Sequence, residues 1–204
     1  AYRDSVFKQE GWHLDGQRAI TWVTFRLPKV WQPLLGYSDL ATELEKRRSS
    51  DSNDSPNTQP DSHPDDHPKG QANSQATPRQ IAEAVIRVRS RKLPDPAILP
   101  NAGSFFHNPL VSASLAEQMA IAHPGLPRYP QPDGRVKLAA GWLIERSGWK
   151  GRDLGRVGMY EKQALVLVNR GAARGAEVLA LAHAVQADVR ERFAVELLPE
   201  PVFL

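Results

Sequence analysis

Apolar and polar positions change period several times along the chain, and each change predicts an element. Val23, Phe25 and Leu27 alternate with Thr24 and Arg26, the period of a half-buried strand. Pro28 ends it, since proline cannot donate to a ladder, and residues 1–40 as a whole read as strands and turns. Thr77-Pro78-Arg79-Gln80 forms a capping box with proline at the first helical position. Ile81, Val85 and Val88 then recur at helical spacing. Lys92-Leu93-Pro94-Asp95-Pro96 is a stiff turn that ends this helix. Ser114 with Glu117 predicts the cap of a second helix, stopped by His123-Pro124-Gly125. Lys137–Arg146 reads as a third helix with Leu138, Trp142 and Leu143 inward. Ala164-Leu165-Val166-Leu167-Val168 is an apolar run of strand length, covered on both faces. Val178, Leu181, Ala182, Val185, Val189 and Phe193 mark a long amphipathic helix, and the apolar tail Val195–Leu204, with two prolines, reads as an edge strand or extended arm. Helices and strands alternate without a regular βαβ series, so the fold class is α+β.

One stretch has no apolar pattern. Ser49–Thr77 contains no Val, Ile, Leu, Met or aromatic residue, and such a segment cannot bury enough apolar surface to offset its ordering entropy. It reads as a disordered insertion. His63 and His67 among Asp61, Asp65 and Asp66 have nothing rigid to orient them as ligands, so no metal site is assigned. The stretch also carries five Asp and one Lys, a local charge of −4. The formal charge of the 204 residues is +3, which leaves +7 on the other 175. That moderately basic remainder suits small phosphate-bearing ligands rather than a nucleic acid.

The absence of cysteine removes disulfides, thiolate zinc sites, iron–sulfur clusters and thiol nucleophiles together. It fits a reducing, cytoplasmic location. No apolar run reaches the roughly 18 residues of a membrane span. The chain opens on Ala1 within what reads as a folded segment, and the expectation is a fragment of a longer protein.

Seven short motifs take the reading further. Tyr2-Arg3-Asp4-Ser5, Gly36-Tyr37-Ser38-Asp39, Arg91-Lys92-Leu93-Pro94-Asp95-Pro96, Asn101-Ala102-Gly103-Ser104-Phe105-Phe106-His107-Asn108-Pro109, Lys137-Leu138-Ala139-Ala140-Gly141-Trp142-Leu143-Ile144, Gln163-Ala164-Leu165-Val166-Leu167-Val168-Asn169 and Pro199-Glu200-Pro201 follow one another. In that order they resemble the UDP-N-acetylenolpyruvoylglucosamine reductase family over nearly the whole chain outside 49–77. The resemblance implies a flavoenzyme of peptidoglycan precursor synthesis. In it NADPH reduces FAD, hydride passes to C3 of the substrate's enolpyruvyl group, and an acid on the protein protonates C2. It also implies that the family's main FAD-binding segment precedes the part matched here. That segment is the partner this chain lacks, and the isolated chain is expected to be inactive.

By the same resemblance, Ser104 is the proton donor. A hydroxyl can serve because the carbanion or enolate formed at C2 is basic enough to take its proton; without the motif, Ser104 would be an ordinary loop serine. Arg3 and Glu200 match the groups that hold and polarise the enolpyruvyl carboxylate, and Pro201 stands where the family commonly has a β-branched residue. Tyr37, Lys92, Asn108, Tyr129, Lys150 and Gln163 match positions that bind the UDP portion: lysines as point charges for phosphate, tyrosines for hydroxyl or ring contact, amides for pairing. NADPH, which also presents a pyrophosphate, is expected to use overlapping groups. Arg89 resembles an arginine near the flavin, although Arg87, Arg89 and Arg91 read equally well as a solvated helix face. His107 replaces the lysine usual in its loop and reads as structural, and Arg170 and Arg174 read as solubilising.

The expected division is residues 1–94 as the carboxy-terminal part of the FAD-binding domain (interrupted by 49–77), 95–193 as a substrate-binding domain, and 194–204 as a closing arm. Two other functions stay open on the sequence: a UDP-sugar-binding module without redox activity, and a truncated product with none. Flavin absorbance in the purified protein discriminates between reductase and binding module.

Overall fold

The computed structural model describes residues 5–12, 18–51 and 76–203. By its contacts the chain divides into two units, one of Ala1–Val23 with Lys92–Leu204 and the other of Thr24–Arg91. The architecture is α+β, with helices set against antiparallel sheets. No helix among the described residues is long and apolar enough to cross a membrane.

The larger unit opens on a single turn, α1 (Val6–Gln9), capped by Ser5. Its main sheet has the order β1-β7-β6-β5, formed by β1 (Asn101–Ser104), β5 (Asp153–Leu154), β6 (Val157–Met159) and β7 (Val166–Asn169), all antiparallel. A second sheet, β2-β4-β3, joins β2 (Leu110–Val111), β3 (Arg128–Pro130) and β4 (Val136–Leu138). Three helices complete the unit: α4 (Ala113–Ala122), α5 (Ala140–Arg146) and α6 (Gly175–Phe193).

α6 buries Leu181, Ala182, Val185, Val189 and Phe193, the stripe that its i, i+4 spacing marks out. The central β7 buries Val166, Leu167 and Val168 on both faces. Phe105, Phe106, Leu138, Leu143, Ile144 and Leu197 join the α6 residues in one core.

Local corrections follow from what each segment finds to pair with. Residues 137–146 are not one helix. Val136–Leu138 is the central strand of the small sheet, bonded on both sides, and α5 starts only at Ala140. The cap of α4 is Ser112, whose hydroxyl accepts from Leu115 N at 3.2 Å, because β2 ends at Val111 and the cap must follow it directly; Ser114 lies inside the first turn. The tail is an arm that pairs with the 105–107 segment: Phe106 bridges Pro199, His107 N donates to Leu198 O at 2.9 Å and Glu200 N to Phe105 O at 2.8 Å. Arg170 does more than keep the surface soluble, since it binds Asp153 at 2.8 Å and Glu161 at 3.4 Å across a hairpin.

The smaller unit is built on α2 (Ser38–Asp51) and α3 (Pro78–Lys92), which run to the edge of the unit and meet through Leu40, Leu44, Ile81 and Ala84. The capping box of α3 is formed on both sides, Thr77 N to Gln80 Oε1 at 2.8 Å and Gln80 N to Thr77 Oγ1 at 3.2 Å. The strand expected at Val23–Leu27 does not form. Trp22, Phe25 and Leu27 are 77–83% exposed, and none of the described strands offers this segment an edge, so its period-two pattern has no ladder to join. Of the expected insertion, residues 49–51 continue α2 and Ala76 is buried against Leu40, Leu44 and Ala84; residues 52–75 lie outside the described residues.

Arg87 and Arg91 do more than face solvent, although their side chains are 40% and 57% exposed. Both guanidinium groups bind the buried Glu43 of α2, at 2.8 and 2.6 Å. Those hydrogen bonds, Arg91 foremost, hold the Glu43 carboxyl below its ordinary range against the opposing effect of burial. A carboxylate with a depressed folded pKa stabilises the fold above the pH where it titrates when unfolded, about 4.3. That contribution is lost as the pH falls through the lower folded value. Thermal melts of wild type and Glu43→Gln are therefore expected to differ at pH 7 and to draw together as the pH falls below the unfolded value of about 4.3. A difference of constant size across that range would show that Glu43 contributes by shape alone.

Candidate functional site

Two cavities of the larger unit hold most of the residues expected to matter. The first, about 510 Å³, is lined by Ala102, Ser104, Glu200 and Pro201. Ser104 comes to it on a bulged strand. Between Asn101 and Ser104, β1 uses three steps where β7 uses two, from Val168 to Val166. The Asn101 side chain fixes this bulge by accepting from Gly103 N at 3.0 Å and donating to Leu99 O at 3.0 Å. Gly103 sits there at φ +69°, a conformation that disfavours any residue with a Cβ. Directly after Ser104, Phe105 and Phe106 are buried edge to face at 5.1 Å and anchor the strand end in the core. Glu200 arrives from the arm, whose antiparallel register sets Glu200 against Phe105 and Pro201 against Ser104. Residues 96 positions apart thus meet at one opening.

The second cavity, about 500 Å³, is lined by Asn108, Tyr129, Lys150 and Gln163, along with Lys137, Lys162, Gly141, Trp142 and Glu145 among others. Each of the first four comes from a different element. Asn108 follows the Phe105-Phe106 anchor, and its Oδ1 accepts from Ala140 N at 2.9 Å, capping α5 where Ala139 supplies no side-chain cap. Among the described residues its amide N–H groups make no hydrogen bond, which leaves both as spare donors of a residue on the cavity lining. Tyr129 stands on β3 directly opposite Lys137 on β4, and the ammonium lies 5.7 Å from the ring centroid, a cation–π pair. Lys150 binds Glu145 of α5 at 2.9 Å. Gln163 opens the run into β7 and lies beside Gly141, where a Cβ would meet Gln163 Oε1 at 3.5 Å and Leu165 Cγ at 3.4 Å, ordinary van der Waals contact.

The cavity wall therefore carries three lysines and one glutamate. That surplus of positive charge, beside hydroxyl and amide groups, suits an anion with polar appendages.

The remaining candidates are not brought here. Tyr37 is exposed at the foot of α2, where its carbonyl accepts from Leu40 N and Ala41 N. Arg89 is exposed on α3. Both belong to the smaller unit, whereas Lys92 begins the stretch assigned to the larger one; none of the three lines either cavity. Arg3 lies outside the described residues, as do His63 and His67. Among the described residues no group of three His, Asp or Glu is placed to hold a metal ion. His107 lines a neighbouring cavity of about 630 Å³ that shares Asn108 and Lys137 with the second.

Sequence reasoning passed over Lys137, Lys162 and Glu145 in the second cavity. Lys137 falls in a stretch read as helix, and only its true strand pairing sets it beside Tyr129. The signal for Lys162 was local: it immediately precedes Gln163.

The family model for the UDP-N-acetylenolpyruvoylglucosamine reductase C-terminal domain matches residues 95–204. Proteins named UDP-N-acetylenolpyruvoylglucosamine reductase are 61% identical over 204 residues in Dechloromonas aromatica (strain RCB), 54% over 203 in Paraburkholderia phytofirmans (strain DSM 17436 / LMG 22146 / PsJN) and 53% over 203 in Burkholderia multivorans (strain ATCC 17616 / 249). Each alignment takes in all of this chain but only 53%, 51% and 51% of the relative. The chain spans about half the length of the curated relatives it matches. A crystal structure of UDP-N-acetylenolpyruvylglucosamine reductase from Thermus caldophilus aligns with 58% of this chain and 32% of that one, at 28% identity and a TM-score of 0.35. With more than half of its residues, and both cavities, inside the matched domain, the chain belongs to the UDP-N-acetylenolpyruvoylglucosamine reductase family.

Proposed function

We propose that this chain is the substrate-binding and proton-delivering half of an oxidoreductase that converts UDP-N-acetylglucosamine enolpyruvate to UDP-N-acetylmuramate, with FAD and NADPH as the redox pair. One observation carries the reading: Asn108, Tyr129, Lys150 and Gln163, matched separately along the sequence, line a single lysine-rich cavity. Saturating the enolpyruvyl double bond takes a hydride at one carbon and a proton at the other. The hydride is the chemistry that a reduced flavin supplies when bound. The proton at C2 comes from the Ser104 hydroxyl, which the bulge at Gly103 and the Phe105-Phe106 anchor hold beside Glu200. Glu200, with Arg3, orients the substrate carboxylate, the arginine by its two-pronged guanidinium. Lys150 and Lys137 bind the diphosphate, and Tyr129, Asn108 and Gln163 fix the rest of the nucleotide sugar.

For FAD itself the described residues offer one candidate, Arg89, exposed and lining neither cavity. That is not a dinucleotide cradle, and the work assigned to this chain is binding substrate and delivering a proton. Calorimetric titration of the 204-residue chain tests the proposal. A UDP-sugar is expected to bind with one site, whereas FAD is not expected to bind tightly. Stoichiometric submicromolar FAD binding, or a folded chain with no affinity for a UDP-sugar, would overturn it.

A further inference from the structure

We infer that Lys162, in the turn between β6 and β7, is a binding residue for the diphosphate and sets the preference of the second cavity for a diphosphate-bearing nucleotide over an uncharged nucleoside. The inference rests on the function proposed above and adds to it a residue that the matched motifs do not contain.

Three lysines line the cavity, and they are not equally available. Lys150 is held by Glu145 at 2.9 Å, so an incoming anion must compete with a carboxylate for it. The Lys137 ammonium is placed over the Tyr129 ring, 5.7 Å from its centroid. Among the described residues Lys162 makes no ion pair. The carboxylate next to it in sequence, Glu161, is engaged with Arg170 at 3.4 Å. Lys162 thus brings a whole, hydrated positive charge to the cavity wall.

Its backbone is held in place although its side chain is exposed. Gln163 N donates to Tyr160 O at 3.3 Å, Tyr160 N to Val166 O at 2.8 Å and Val166 N to Gln163 O at 3.0 Å, which closes the turn in both directions. Tyr160 and Ala164 on either side of it are buried. A fixed Cα with a flexible, unpaired ammonium suits capture of a phosphate oxygen, since only the side chain has to be ordered on binding. An anion held this way is attracted as a point charge, so its affinity falls with added salt, and a nucleoside without phosphates gains nothing from it.

The test compares UDP and uridine binding to the full 204-residue chain by calorimetry, at low and at physiological salt, for wild type, Lys162→Met, Lys162→Arg and Tyr129→Ala. Lys162→Met is expected to weaken UDP binding about three- to tenfold at low salt, to leave uridine binding within about twofold, and to flatten the salt dependence. Lys162→Arg keeps most of the affinity, which a role in shaping the turn alone would not predict. If Tyr129→Ala weakens UDP binding while Lys162→Met binds within twofold of wild type at unchanged salt dependence, the inference about Lys162 fails and the assignment of the cavity stands. If wild type binds no UDP, both fail together.

Discussion

Replacing Ser104 by alanine in a complete reductase that carries this chain is expected to leave reduction of the flavin by NADPH close to normal. Reoxidation by the enolpyruvyl substrate should slow by about 10²–10⁴-fold, the usual range for loss of a positioned acid. Only the second half-reaction needs a proton at C2, so the two halves separate cleanly in stopped-flow spectra. The structure adds a reason for a specific effect. Alanine keeps the Cβ and the backbone, so the Asn101–Gly103 bond, the bulge and the Phe105-Phe106 anchor have no cause to change. Ser104→Cys, which restores an acidic proton at nearly the same place, should recover part of the lost rate. Equal slowing of both halves would mean that Ser104 supports the loop and donates nothing.

The second large effect concerns Phe106. Its side chain is fully buried, it meets Phe105 edge to face, and its backbone bridges Pro199. Phe106→Ala removes a ring from a packed core and is expected to destabilise the larger unit by about 3–5 kcal/mol, a large share of the roughly 5–15 kcal/mol that holds a domain folded. The consequence reaches the site, because the Glu200 N to Phe105 O bond lies one residue from the bridge. Loss of the ring loosens the arm, and Glu200 with it. Chemical denaturation should show the midpoint lowered, and limited proteolysis should cut the arm first. Phe106→Leu, which fills most of the volume, should cost about 1–2 kcal/mol and leave the arm protected. A midpoint unchanged by Phe106→Ala would mean that the Phe105 side chain and the arm hold this region without it.

Much of this was written in local pattern. α3 could be read from Thr77 to Gln80 because a capping box is decided by two side chains and two N–H groups within four residues. α6 could be read because a buried stripe of five side chains leaves one solution. What failed depended on distant partners. Val136–Leu138 looks helical until it is known that β2 and β3 approach it from both sides. Val23–Leu27 alternates as a strand should, yet alternation supplies no edge. Arg87 and Arg91 are indistinguishable from surface charge until α2 brings Glu43 to them. The candidate site divides the same way. Residue types at Ser104, Asn108, Tyr129, Lys150, Gln163 and Glu200 were legible through a family's motifs, whereas the pairing of Lys150 with Glu145, and the free charge on Lys162, exist only once a turn and a helix stand side by side.

The bulge in β1 places Ser104 by counting. Directly paired residues of an antiparallel ladder face the same side, and Val168 and Val166, two apart on β7, share one. Asn101 and Ser104 are therefore held to one side although three steps separate them, and the surplus residue beside the Gly103 kink takes up the odd count. Parity along the chain is thus decoupled from parity in the sheet. Removing one residue between Asn101 and Ser104 is expected to leave a regular ladder in which Ser104 still stands opposite Val166, with only the local kink lost. The stretch works as a spacer that can change length without turning the strand over.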